Sequence, residues 1–164
     1  MNFESFIPDI LVTLLGGILL TLLFFWAREK LFPLPDITGR WHMEMTTINT
    51  SYNTFRNMVL RYVVIIWRDG NQIQGSVEKI YENSSTGEHD YVGKTRTRGV
   101  VEGCIEKKYL GKDKLLLHVV ENGHGRESTN FYDLIVNSSE SMKGVFNSMV
   151  ANQDGIVLFQ REPF

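Results

Sequence analysis

Residues 58–70 read MVLRYVVIIWRDG. Val59, Val63, Val64, Ile65 and Ile66, interleaved with Leu60, Tyr62 and Trp67, favour a pleated strand over a helix, because β-branched and aromatic side chains pack well on a half-buried sheet. Asp69-Gly70 then signals a tight hairpin turn. The hairpin returns along residues 72–81, QIQGSVEKIY. Upstream, residues 39–48 alternate, with Trp41, Met43 and Met45 on one face and Arg40, His42 and Glu44 on the other. Downstream, a polar loop at 82–97 is followed by strands at 99–108, 114–121, 128–136, 142–150 and 156–160. The turns between them are Leu110-Gly111-Lys112-Asp113, Asn122-Gly123-His124-Gly125, Asn137-Ser138-Ser139 and Asn152-Gln153-Asp154-Gly155. Sequential strands with short connections form an antiparallel meander. Eight of them close into a small barrel and leave no exposed edge. The expected fold is therefore all-β: an eight-stranded antiparallel up-and-down β-barrel. A two-sheet sandwich is the alternative, but Greek-key sandwiches need longer crossovers.

The stretch before the strands has a different character. Residues 10–26, ILVTLLGGILLTLLFFW, carry no charge, and as a helix they rise about 26 Å, close to the thickness of a bilayer core. The run is apolar on every face, unlike the amphipathic helix of a soluble core. A cleaved signal peptide would have a basic start and a small-residue cleavage site; here the start is MNFESF and the run ends in Trp-Ala-Arg-Glu-Lys. A transmembrane helix is expected within residues 1–32, then a short proline-containing linker at 33–38, closed by Pro33 and Pro35, and the barrel over 39–164. Arg28 and Lys30 follow the span while Glu4 and Asp9 precede it, so the positive-inside rule places the barrel in the cytoplasm and the N-terminus outside. Gly16 and Gly17 at mid-span would allow a second helix to approach closely, a candidate contact for self-association. Glycine is also common in such helices without that role.

Composition narrows the function. The chain has 164 residues and a formal net charge of −2, which gives no footprint for DNA or RNA. Its single cysteine, Cys104, rules out an intrachain disulfide framework and fits a reducing compartment. Glu102 and Glu106 flank it and would raise rather than lower the thiol pKa, against a nucleophilic role. His42, His89, His118 and His124 form no metal-ligand spacing, and no nucleophile elbow, phosphate loop or paired-carboxylate motif is present. A non-enzymatic protein without metal or cofactor is expected.

In an up-and-down barrel alternate loops share an end. The turns at 69–70, 110–113 and 137–140 fall at the end where the linker enters. The longer, more polar loops at 49–57, 82–97, 121–127 and 151–155 gather at the other mouth. They bring together Arg56, Lys94, Arg96, Arg98, His124 and Arg126, with Tyr52 and Tyr91 nearby. Cations, glycine-exposed amides and aromatic faces are what a phosphate-bearing, base-bearing small ligand requires. Taken singly, each of these residues reads first as a solvated side chain, and only their convergence at one mouth points to a ligand; Glu88, Asp90 and Glu127 dilute the positive field. The barrel interior is a second candidate location, lined by Trp41, Met43, Met45, Phe131 or Tyr132, Phe146 and Phe159.

Gly39-Arg40-Trp41 at the first strand, with Arg161 after the last, resembles the lipocalin signature. That resemblance implies that Trp41 plugs one end and that Arg161 packs across it as a cation–π pair. The architecture over residues 10–161, a short membrane anchor and a minimal barrel, resembles the membrane-anchored β-barrel effectors of CBASS, the cyclic-oligonucleotide anti-phage defence. The resemblance implies that a partner nucleotidyltransferase makes a cyclic dinucleotide and that the barrel binds it. The protein then oligomerises and disrupts the bacterial inner membrane, causing abortive infection. Members of that family are described with two membrane helices, whereas this sequence has one such run. A membrane-tethered carrier of a small apolar ligand and a passive membrane scaffold are the alternatives.

Overall fold

The computed structural model describes residues 3–123 and 127–164, with the side chains of 3–7 excepted. The chain divides into two compact units, Met1–Leu34 and Pro35–Phe164. The first is the helix α1 (Phe3–Leu31), which begins ahead of the apolar run and carries Pro8 within it. Its apolar stretch, Pro8–Leu31, is long and apolar enough to cross a bilayer.

The second unit is an antiparallel barrel. Its strands are β1 (Gly39–Asn49), β2 (Val59–Asp69), β3 (Gln72–Ser84), β4 (Gly87–Asp90), β5 (Arg98–Glu106), β6 (Lys114–Asn122), β7 (Glu127–Val136), β8 (Ser141–Ser148) and β9 (Gln153–Gln160). The order is β2-β1-β9-β8-β7-β6-β5-β3, and the β2–β3 pairing closes the ring. Eight strands are staves of the barrel, so the sandwich alternative does not apply. The ninth, β4, lies in the segment expected to be an irregular loop. There β3 runs on to Ser84, turns at Gly87 (φ +111°) and pairs back from Tyr81↔Asp90 to Ser84↔Gly87 as a small flap. The expected turn at 152–155 also shortens. Ala151 and Asn152 take positive φ, and β9 starts at Gln153, whose side-chain Oε1 accepts from the buried Thr47 Oγ1 at 3.1 Å.

Strand alternation fills the barrel. Trp41, Met43, Met45, Tyr132, Phe146 and Phe159 all point inward and are buried, while Phe131 faces outward and is 42% exposed. The rings pack edge to face: Trp41–Phe159 centroids lie 6.5 Å apart and Tyr132–Phe159 centroids 6.4 Å apart. The interior at this level is a packed core. Sharp curvature in so small a barrel needs strand positions without a side chain. At Gly144 on β8 a Cβ would lie 1.9 Å from the Asp133 carbonyl oxygen of β7, so only glycine lets these strands coil this closely.

One end of the barrel is closed. Trp41 is fully buried and its Nε1 donates to the Ile37 carbonyl at 2.8 Å. The Arg161 guanidinium lies 3.8 Å from the Trp41 ring centroid. Its Nη1 donates to the Arg40 carbonyl at 2.9 Å, its Nη2 to Thr38 at 3.1 Å and its Nε to Ser139 at 3.2 Å. Gly39 stands at φ +118°, and a Cβ there would meet Arg161 Nη1 at 3.0 Å. The glycine of the Gly39-Arg40-Trp41 triplet thus leaves room for the arginine.

Candidate functional site

The opposite end is open and polar. β2 supplies Leu60 and Tyr62, β3 Lys79 and Glu82, β6 Glu121, β7 Ser128 and Asn130, β8 Ser148 and β9 Gln153. Together with Met45, Phe55, Met58 and Val150 they line a cavity of about 170 Å³. An irregularity in register places both Lys79 and Glu82 on this lining. Arg61 pairs with Tyr81 but Tyr62 pairs with Lys79, so β3 carries an extra residue at this point. Without that bulge strict alternation would send Glu82 outward.

Glu121 anchors the site. It is 5% exposed, and its Oε1 accepts from Tyr62 Oη at 3.2 Å and from Asn130 Nδ2 at 3.0 Å. Burial pushes its carboxyl above the ordinary value, with Lys79, Tyr62 and Asn130 pulling the other way. Burial likewise raises the Tyr62 phenol well above its usual range, and the Glu121 charge adds to this. Lys79 Nζ lies 3.2 Å from Glu82 Oε2, which also accepts from Tyr91 Oη at 3.1 Å. The cavity therefore holds two carboxylates, one ammonium and several amide and hydroxyl groups above an apolar floor. Such a site can recognise hydrogen-bond donors and acceptors on the edge of a flat ring.

The cations expected at this mouth are placed differently from one another. Arg96 and Arg98 share one carboxylate: Glu78 Oε2 lies 3.0 Å from Arg96 Nη1 and Glu78 Oε1 lies 3.0 Å from Arg98 Nε. Val77 is buried and Glu78 faces out, so this cluster sits on the outer wall beside the mouth, not in the cavity. Arg96 Nε also donates to the Tyr91 carbonyl at 3.2 Å. Lys94, in the one-turn helix Gly93–Thr95, and Arg56, just after Asn53–Phe55, are exposed. His124 and Arg126 lie outside the described residues. The polar residues of the cavity were missed in the sequence because they sit on six strands and share no spacing. The one available signal was acidic and amide side chains at inward positions, Glu121 and Asn130, in otherwise apolar strands.

On α1, Thr13, Gly17 and Thr21 share one face at i, i+4 spacing, and Thr13 and Thr21 donate to the carbonyls of Asp9 and Gly17. Gly17 lies on this stripe of small residues; Gly16 lies on the adjoining face. Among the described residues, a Cβ added at either would meet nothing within 4 Å beyond the helix's own backbone and chain neighbours. Among the described residues no group of His, Cys, Asp or Glu could hold a metal ion.

Fold and site define the class: an eight-stranded lipocalin-like barrel with one open, polar mouth, preceded by an apolar helix. No protein-family profile matches the sequence, and no curated protein matches it. Among solved structures, the barrel is similar to that titled "Structure of EF1p2_mFAP2b bound to DFHBI", at a TM-score of 0.54 and 11% identity. The match covers 77% of this chain and 94% of that one, and it supports the barrel fold.

Proposed function

We propose that this chain is a membrane-anchored receptor that takes a small ligand at the open mouth of its barrel. The single observation that supports this most is the mouth cavity, about 170 Å³, polar and open at one end of a barrel whose other end is plugged. The similar barrel is titled as bound to DFHBI, which is consistent with a ligand-binding role for a barrel of this fold. Following the resemblance to CBASS effectors, the ligand is a cyclic dinucleotide supplied by a partner nucleotidyltransferase. The response is oligomerisation and disruption of the bacterial inner membrane, with the barrel in the cytoplasm. Pockets that hold drug-sized molecules run to about 300 Å³ and more, so this cavity admits one base. The phosphates then stay at the rim, within reach of Lys79 and of the cations beside the mouth, Arg56, Lys94, Arg96 and Arg98. The barrel interior is packed with aromatic side chains, which weighs against an apolar carrier.

The test is thermal unfolding of the full chain in detergent against a panel of cyclic dinucleotides, since a ligand bound only by the folded state raises Tm. A rise with one cyclic dinucleotide and not with its linear form is expected. Lys79→Met should abolish the rise if the mouth is the site, and Arg96→Glu should abolish it if the outer wall is. No rise with any member of the panel would refute the reading.

A further inference from the structure

The β5–β6 connection, residues 107–113, presents a surface that the ligand reading does not use. It joins strands at the barrel end where β1 begins, the plugged end. Leu110 at its tip is 99% exposed and the adjacent Tyr109 is 50% exposed. A leucine projected almost wholly into water has no packing role in the barrel. It is framed by Lys107, Lys108, Lys112 and Lys114, which face the carboxylates of Glu106, Asp113 and, across the sheet, Asp133. The loop is also built rather than slack. Lys107 pairs with Asp113 at 2.9 Å, the Lys108 backbone N–H donates to Asp113 Oδ1 at 2.9 Å, and Lys112 Nζ donates to Asn137 Oδ1 at 2.7 Å. Lys108 also meets Glu106. These bonds brace the base of the loop and leave its apolar tip projecting. At the same end Arg68 has a buried Nη1 with no hydrogen-bond partner among the described residues.

An aromatic and an aliphatic tip ringed by lysines matches the interface of an anionic bilayer: rings and methyl groups enter the headgroup–acyl boundary, and ammonium groups meet phosphates. Covalent connectivity favours the same partner. Residues 32–38 separate the apolar helix from β1, and seven residues extend at most about 24 Å. We propose that residues 107–112 form a lipid-contact loop, with Tyr109 and Leu110 entering the interface of an anionic membrane and Lys108 and Lys112 engaging headgroup phosphates. The inference is independent of which ligand the mouth binds.

The experiment uses the full chain reconstituted in vesicles. On a Cys104→Ser background, Leu110→Cys carries an environment-sensitive NBD label, and Ser85→Cys in the β3–β4 turn provides the comparison site at the other end. In vesicles containing phosphatidylglycerol, the label at 110 should emit further to the blue than at 85. It should also be several-fold less accessible to aqueous iodide, and quenched by lipids bearing a shallow nitroxide. Lys108→Glu with Lys112→Glu, or vesicles of phosphatidylcholine alone, should reverse most of that protection. Equal iodide access at 110 and 85 in anionic vesicles would overturn the proposal. So would protection from iodide without quenching by nitroxide lipid, which would assign the loop to a contact between protein copies. Protection unaffected by charge reversal would overturn the headgroup role of the lysines.

Discussion

Replacing Arg161 tests whether the plugged end is held by the guanidinium or merely covered by it. Arg161→Met keeps the apolar stem over Trp41 and removes the charge and all three donors to the carbonyls of Thr38, Arg40 and Ser139. A cation over an indole contributes about 1–2 kcal/mol when the ring is desolvated, as the fully buried Trp41 is. The three carbonyl bonds are partly open to water, so about 0.5 kcal/mol each is a suitable figure, at the low end for intramolecular bonds. The sum is about 3 kcal/mol, or a fall in Tm of roughly 10 °C for a domain of this size. Arg161→Lys retains a charge near the ring but not the planar fork, and should lose about half as much. Gly39→Ala should approach the same loss, because it puts a Cβ 3.0 Å from Arg161 Nη1 on a backbone at φ +118°. Urea unfolding of the full chain in detergent, followed by the β-sheet circular dichroism signal, measures each. A double-mutant cycle with Trp41→Phe isolates the ring–cation coupling at about 1 kcal/mol. If Arg161→Met costs less than about 0.5 kcal/mol, within the range of ordinary surface changes, the arginine lies on the tryptophan without securing the end.

Two titrations give opposite slopes of stability against pH. Glu121 titrates above its ordinary 4.5 when folded, so the folded state holds the extra proton; stability is full below pH 4.5 and is lost as pH rises through the folded value. Glu121→Gln should remove that loss in a pH series of urea melts, and an unchanged pH profile would contradict the burial argument. His42 is buried on the outer wall, next to the pocket that Pro163 and Phe164 help line; burial first, and Arg40 second, lower its pKa from 6.5. Its contribution is full above pH 6.5 and falls as pH drops toward the folded value, and His42→Gln should flatten that slope. Gly144→Ala should destabilise by about 1–3 kcal/mol through the clash with the Asp133 carbonyl. Val145→Ala beside it, half exposed, should stay within about 0.5 kcal/mol.

The barrel was legible because each stave carries its own alternation and its own turn chemistry. Trp41, Met43 and Met45 alternate with Arg40 and Glu44, and the Asp69-Gly70 turn sets the register of β2 on β3 through Asp69↔Gln72. The β4 flap was not legible, since Gly87-Glu88-His89-Asp90 has no apolar face and pairs only with the extension of β3. The plug was legible as a short motif whose two halves lie at opposite ends of the barrel sequence. The mouth cavity was hidden for two reasons. A single bulged residue in β3 turns Glu82 inward, and no local pattern announces it. The arginines, conspicuous as Lys-Thr-Arg-Thr-Arg, are partly matched by Glu78, one strand away in space but distant in sequence. His42 looked solvent-facing by alternation and is buried, lining one pocket together with Pro163 and Phe164.

The small volume of the mouth has a consequence for the proposed receptor. On the proposed reading, a cavity of about 170 Å³ over a packed aromatic core would take one base of a dinucleotide and leave the other outside. Transmission through the core would require Phe146, Tyr132 and Phe159 to repack, and close-packed interiors resist that. The exposed half of the ligand offers a cheaper route. A cyclic dinucleotide with identical halves is two-fold symmetric, and so is a contact in which each base enters the mouth of one chain. Ligand binding would then bring two barrels together, and with them two helices bearing the Thr13, Gly17, Thr21 stripe on which close approach is possible. The expected stoichiometry is one ligand per two chains, with dimerisation by analytical ultracentrifugation appearing at the same ligand concentration as the Tm shift. Saturation at one ligand per chain, with the protein still monomeric, would mean that the mouth encloses the whole ligand and that the response does not begin with pairing.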